Sequence, residues 1–100
     1  MAADRWQGRE ADVSSAVWGQ EVVTIADNVG QGATKTCRRC LVWSPSGNTG
    51  NIHLQKGATA DANDVALVDD VVYDLRITNT NQMYFYGGTN GDKVYIIWFG

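Results

Sequence analysis

The sequence has few of the residues from which several kinds of functional site are built. Its 100 residues include one proline, two cysteines and one histidine, and eight basic residues stand against eleven acidic ones. A nucleic-acid binder needs a clustered excess of Lys and Arg, so the net charge of −3 argues against that class. A stretch of about 18 apolar residues, which a membrane-spanning helix requires, is also missing, and no membrane partner is expected.

The N-terminal segment differs in composition from the rest of the chain. It lacks the apolar core of a secretory signal, which indicates synthesis in the cytoplasm without export by the general pathway. Residues 1–20 mix charges with two isolated tryptophans, Trp6 and Trp18, and show no helical stripe. We interpret them as an N-terminal arm in front of a domain of residues 21–100. The arm is either a frayed terminus or a segment that docks on a neighbour through Trp6.

Cys37 and Cys40 are the nearest approach to a metal or redox motif. A zinc site needs two further Cys or His ligands, and the chain supplies only His53. A thioredoxin-like site needs a βαβ setting, which the residue pattern does not predict. A disulfide between residues three apart in one strand is disfavoured, because their side chains point to opposite faces. The sequence therefore predicts that at least one thiol is free and buried.

Other motifs for catalysis or ligand binding are incomplete. Thr34 stands where a phosphate-binding loop needs a glycine before Lys35. Five aspartates lie within residues 61–74, but the glycine and glutamate that complete a calcium loop are missing, which favours a solvated acidic rim over a calcium site. No nucleophile motif such as Gly-x-Ser-x-Gly is present. We therefore expect no enzyme activity, no metal ion and no cofactor.

Short apolar stretches separated by Gly, Asn and Asp predict β-strands from residue 21 onward. The predicted strands lie within residues 22–25, 36–44, 51–55, 65–68, 71–77, 83–86 and 93–99. Ile52 and Leu54 alternate with polar residues, which places His53 on the opposite, solvent face of its strand. Asn90-Gly91 is the strongest hairpin signal, and the alanines within 59–72 also allow a short helix there. The regular spacing predicts an all-β, single-domain antiparallel β-sandwich of seven or eight short strands.

Aromatic residues fall on both faces of the last two predicted strands. Tyr84, Phe85 and Tyr86 are consecutive, and the final strand carries Tyr95, Trp98 and Phe99. A strand that is apolar on both faces is normally covered on both faces, whereas the outer face of a sandwich is normally wet. Unless they are scattered surface aromatics, these rings predict that another subunit or a partner covers one outer face.

Two segments resemble small structural proteins of tailed-phage heads. They are CRRCLVWSPSGNTGNIHLQKG and DDVVYDLRITNTNQMYFYGGTNGDKVYIIWFG, within residues 35–100. The shared features are the turn Asn48-Thr49-Gly50, the strand Ile52 to Leu54, the aromatic strand Met83 to Tyr86, the turn Gly91-Asp92-Lys93 and the final strand Val94 to Phe99. This family comprises β-sandwich, jelly-roll-like decoration, cement or head-fibre-like proteins. It often has a Pro-Gly turn where Asp69-Asp70 stands here.

The resemblance implies a jelly-roll-like fold and a role in the virion. Such a protein is a capsid decoration (cement) protein, a homotrimer that binds the major capsid protein on the outer surface of an assembled head and stabilises it. The predicted subunit or capsid interface consists of Trp6, Trp18, Trp43, Tyr84, Phe85, Tyr86, Tyr95, Trp98 and Phe99. Two alternatives stay open. One is a carbohydrate-binding module that uses Trp6, Trp18, Trp43 and Trp98. The other is a tail, neck or fibre-base protein of the virion.

Overall fold

Eight strands make up the fold of residues 18–100, the part of the chain that the computed structural model describes. They are β1 (Trp18–Thr24), β2 (Val29–Gln31), β3 (Arg39–Trp43), β4 (Ile52–Lys56), β5 (Val65–Leu67), β6 (Tyr73–Leu75), β7 (Met83–Gly87) and β8 (Lys93–Phe99). A 3-10 helix, Thr80–Gln82, precedes β7. Within this part of the chain, no helix is long and apolar enough to cross a membrane.

The strands form two antiparallel sheets with a nested order. Sheet A has the order β1-β8-β3-β6, and sheet B has the order β2-β7-β4-β5. β1 pairs with β8, β2 with β7, β3 with β6 and β4 with β5, so the partner of each strand lies at the mirror position in the chain. This is the arrangement of an eight-stranded jelly roll. The predicted all-β antiparallel sandwich of jelly-roll-like type is confirmed.

The core lies between the two sheets and is built from alternate residues of the strands. Its buried members include Val23, Cys40, Val42, Ile52, Leu67, Met83, Phe85, Val94 and Ile96. Because side chains alternate across a strand, the inward direction of Val94 and Ile96 turns Tyr95 and Ile97 outward. The core therefore determines which side chains of sheet A face solvent.

Some boundaries differ from the sequence predictions. β1 begins at Trp18, so residues 18–20 belong to the sandwich and not to the arm. Residues 1–17, which include Trp6, lie outside the described residues. The predicted strands do not include residues 29–31, but Val29–Gln31 pairs with β7 as β2. Within 59–72 there is no helix, because this stretch contains β5 and turns.

The hairpin predicted at Asn90-Gly91 is wrong. Gly91 does adopt a positive φ of 91°, as a turn residue often must. However, β7 belongs to sheet B and β8 to sheet A, and the two strands are not paired. The turn therefore carries the chain from one sheet to the other instead of joining two neighbouring strands.

Candidate interaction surface

The outer face of sheet A carries an unusual number of apolar side chains. We call the following set the sheet A face: Trp18, Val22, Leu41, Trp43, Tyr95, Ile97 and Phe99. They come from β1, β3 and β8, where they point away from the core side of the sheet. Antiparallel sandwiches normally present polar residues on this side of the sheet, which makes this apolar set a candidate interaction surface.

Strand register makes the sheet A face contiguous. Tyr95 of β8 lies between Val22 and Trp43, and two residues further along the strand Ile97 lies between Gln20 and Leu41. Side chains directly opposite each other on neighbouring antiparallel strands lie about 5 Å apart at Cβ and touch. The apolar residues therefore form adjoining rows instead of isolated surface contacts.

The centre of the sheet A face is a shallow aromatic depression. Val22, Trp43, Tyr95 and Ile97 line a concavity of about 440 Å³. The rings of Trp43 and Tyr95 meet edge to face, with centroids 5.7 Å apart and planes at 80°. Val22 is 54% exposed and Trp18 is 45% exposed, so these side chains remain accessible to a partner.

One corner of the sheet A face is basic. Arg38, Arg39 and Arg76 line a depression of about 460 Å³ together with Phe99. The Arg39 guanidinium lies 4.6 Å from the centre of the Phe99 ring, and its Nε is 3.5 Å from Oδ1 of Asp74. Stacking on an aromatic ring and pairing with a carboxylate both hold the guanidinium at the rim. In a chain of net charge −3, this corner is a local positive patch.

The outer face of sheet B is different, because its own chain covers part of it. His53 and Gln55 point outward there, and residues 57–64 fold over them. Nδ1 of His53 lies 2.9 Å from the backbone O of Asp64, and Nε2 of Gln55 donates to Oδ1 of Asp64 over 3.1 Å. His53 thus lies on the outer face that alternation predicts, but it is partly buried and its ring is 6.0 Å from that of Tyr86.

The structure brings four of the predicted interface residues together and separates the others. Trp18, Trp43, Tyr95 and Phe99 lie on the sheet A face. Tyr84 and Tyr86 lie on the outer face of sheet B, where they are partly buried.

Two predicted interface residues need correction. Phe85 is completely buried in the core and is not available to a partner. Trp98 is partly buried and packs against the core on the inner side of β8. The prediction missed Val22, Leu41 and Ile97. Because residues two apart in a strand share a face, placing Tyr95 on the outer face would also have placed Ile97 there.

Both cysteines are free and buried, which confirms the prediction of a buried thiol. Sγ of Cys40 lies 3.6 Å from Sδ of Met83 in the core. Burial raises the pKa of Cys40 to about 12, with smaller contributions from Cys37, Asp74 and Glu21. Burial also raises the pKa of Cys37. Cys37 lies before the start of β3, so the alternation of that strand does not apply to it, and its side chain is also buried.

Two of the five aspartates of residues 61–74, Asp61 and Asp64, hold their own loop together. Oδ2 of Asp64 accepts a hydrogen bond of 2.8 Å from the backbone N of Asp61, and Oδ1 of Asp61 accepts one of the same length from the backbone N of Asn63. Oδ1 of Asp70 accepts from the backbone N of Ser46. In residues 18–100, no group of three or more His, Cys, Asp or Glu residues is placed to hold a metal ion.

Comparison of the chain with protein-family models, curated proteins and solved structures finds no match. Any role for the sheet A face must therefore be inferred from its residues and their geometry.

Proposed function

We propose that this chain is a virion structural protein, a decoration (cement) protein that binds the outside of an assembled phage head through the sheet A face. The contiguous apolar surface formed by β1, β3 and β8 is the observation that carries the proposal. Trp, Tyr and Arg are the residue types that dominate protein interfaces, and here Trp43 and Tyr95 lie at the centre with Arg39 at the rim.

A small domain with such a face can stabilise a much larger assembly. A protein that binds only the assembled head lowers the free energy of that state by mass action. A head offers many equivalent sites, so a modest contribution from each copy adds up over the shell. Fully burying a Val, Leu or Ile side chain contributes about 1.5–3 kcal/mol, and several such side chains on the sheet A face are only partly buried.

The geometry of the sheet A face favours a protein partner over a sugar. A sugar stacks on the open face of an aromatic ring, but Trp43 and Tyr95 meet edge to face. The inward packing of Trp98 removes a second ring from the surface. The aliphatic side chains of Val22, Leu41 and Ile97 between the rings suit the apolar centre of a protein interface.

Co-sedimentation with expanded, undecorated heads tests the proposal. We expect the chain to pellet with the heads and Val22→Glu to lower the affinity at least about tenfold, because a carboxylate would be buried in an apolar contact. Val29→Glu is the matched control, since Val29 is also exposed but lies on β2 of sheet B. Failure of the wild-type chain to bind, or equal binding by Val22→Glu, would refute the proposal. Binding to tails instead of heads would move the site of action within the virion.

A further inference from the structure

The two long sides of the sandwich are not alike. On the β1–β2 side the sheets meet closely: a Cβ atom on Gly30 would lie 2.7 Å from Cγ1 of Val23. Oε2 of Glu21 also accepts a hydrogen bond of 2.9 Å from the backbone N of Ala33. On the opposite side, β5 and β6 are the edge strands of sheets B and A, and a groove of about 390 Å³ separates them.

The groove between β5 and β6 is apolar and opens onto the core. Its apolar lining consists of Leu54, Val65, Leu67, Tyr73, Leu75, Ile77 and Met83. Leu54, Tyr73 and Leu75 point toward the core yet remain only partly buried. The backbone N of Val68 donates to the Tyr73 hydroxyl over 3.0 Å and bridges the groove at one end.

Exposed valines extend this apolar surface outside the groove. Val65 is 71% exposed and Val68 is 60% exposed, and Val71 and Val72 are also exposed. Both edge strands are only three residues long. The free edge of a sheet offers unpaired backbone N–H and C=O groups to a further strand. This side of the molecule thus combines apolar contacts with free backbone hydrogen-bonding groups.

Charges of opposite sign stand at the two ends of the groove. Lys56 and Arg76 line one end, where β4 and β6 finish. Asp69 and Asp70 occupy the turn between β5 and β6 at the other end, beside the Val68–Tyr73 bridge. Oδ1 of Asp69 lies 3.5 Å from Oγ of Ser44, and its second oxygen has no hydrogen bond within the described residues. We call the groove, the four valines and these four charged residues the β5–β6 edge.

We propose that the β5–β6 edge is a two-fold contact between two copies of this chain, in place of the homotrimer that the resemblance to phage head proteins implies. A two-fold axis through the middle of the edge places the acidic end of one copy against the basic end of the other. A two-fold interface repeats each contact twice, so the acidic end of each copy meets the basic end of the other and both pairs of ends attract. The apolar centre of the edge in one copy packs against the same surface of the other copy. Antiparallel pairing of the edge strands lets their free backbone N–H and C=O groups form hydrogen bonds. A parallel arrangement would instead oppose like charges.

The proposal concerns a different surface from the sheet A face, although Arg76 lines both the groove and the basic corner of that face. It does not depend on head binding. Because both edge strands are only three residues long, we expect a contact at the small end of specific interfaces, below about 1,200 Å² of total buried area, and therefore a concentration-dependent dimer. Sedimentation equilibrium of the full chain from about 1 μM to about 1 mM should show a monomer–dimer equilibrium.

A charge-swap experiment tests the contact. Asp69→Lys and Arg76→Glu should each weaken the dimer at least about tenfold, because each places like charges against each other. An equimolar mixture of the two variants should regain wild-type affinity, since the new lysine at position 69 then meets the new glutamate at position 76. In this mixed dimer the other half of the interface keeps its native pair of Asp69 and Arg76. Asp70 is left unchanged because its positive φ of 61° and its bond to Ser46 support the turn.

Two further variants separate this contact from other effects. Lys35→Glu makes a comparable charge change at an exposed residue outside the edge and should leave the dimer unchanged. Val22→Glu, which is designed to impair head binding, should also dimerise normally. A monomer throughout the concentration range, a homotrimer, or a mixture that fails to regain affinity would overturn the proposal. If Val22→Glu abolishes head binding while the chain stays monomeric, the proposed function stands and the dimer does not.

Discussion

At the scale of single residues, Asp92 shows how one side chain connects distant parts of the chain. Its buried carboxylate accepts hydrogen bonds of 2.9 Å from the backbone N atoms of Thr49 and Gly50. The backbone N of Ile25 donates to the backbone O of Asp92, so the connection also reaches the end of β1. Hydrogen bonds to an ionised acceptor are stronger than neutral ones, and both carboxylate oxygens are used here.

Asp92→Asn should lower the free energy of unfolding by about 1–3 kcal/mol. The amide keeps one acceptor oxygen and turns its NH₂ group toward a backbone N–H, which leaves a buried donor without a partner. Urea unfolding followed by tryptophan fluorescence measures the change. Asp27→Asn is the control, because Asp27 is exposed and asparagine tolerates its positive φ of 53°. Equal stability of the two variants would contradict the role given to Asp92.

The buried thiol of Cys40 predicts a loss of stability at alkaline pH. Its pKa of about 12 in the folded protein is above the value of about 8.5 in an unfolded chain. Above the lower value, the unfolded state loses a proton that the folded state keeps, so stability falls as the pH rises. The stability of the wild-type chain relative to Cys40→Ala should therefore decrease by up to about 1.4 kcal/mol per pH unit between pH 9 and 11. Urea titrations at several pH values measure this difference, and parallel curves would contradict it.

At the scale of elements, the 3-10 helix fixes the crossing between β2 and β3. Asn79 caps the helix by accepting from the backbone N of Asn81, and Gln82 completes a capping box. The Thr80 hydroxyl donates to the backbone O of Ala33, and the backbone N of Thr80 donates to the backbone O of Lys35. Gly32 lies so close to this helix that a Cβ atom would overlap the backbone O of Thr80.

Gly32→Ala should therefore destabilise the fold by more than about 1 kcal/mol, because the obstacle is backbone and cannot rotate away. Gly47→Ala is the matched control, since a Cβ atom there meets nothing within 4 Å. The control should be neutral or slightly stabilising, as alanine restricts the unfolded chain. Thermal unfolding of the two variants compares them directly, and a Gly32→Ala variant as stable as the control would disprove the close packing.

The sequence could predict most strands, but not which side chains of the aromatic strands β7 and β8 point into the core. In β4, polar residues alternate with Ile52 and Leu54, and this pattern predicts which side chains face the core. In β7 and β8 nearly every residue is apolar, so the sequence does not show which of the two alternating sets of side chains faces the core. That is why Phe85 and Trp98 were expected outside and are found inside. β2 was missed because its three residues include a glycine, and only its pairing with β7 makes it a strand.

At the scale of the whole molecule, the two proposed contacts use different sides of the sandwich. The sheet A face is an outer surface, whereas the β5–β6 edge runs along one long side between the two layers. A copy that contacts a head through the first surface can therefore still meet a second copy through the other. Both surfaces follow from the jelly-roll order, because it leaves β5 and β6 as edges and puts β8 at the centre of sheet A.

The nested strand order also determines where foreign sequence can be attached. Trp18 pairs with Phe99, so both ends of the sandwich leave from one corner of sheet A, beside Arg39. A fluorescent tag joined directly after Gly100 would overhang the tryptophan-rich surface that we assign to the head. An epitope grafted into residues 57–64, near the midpoint of the chain, would instead project from the other layer and leave that surface unobstructed.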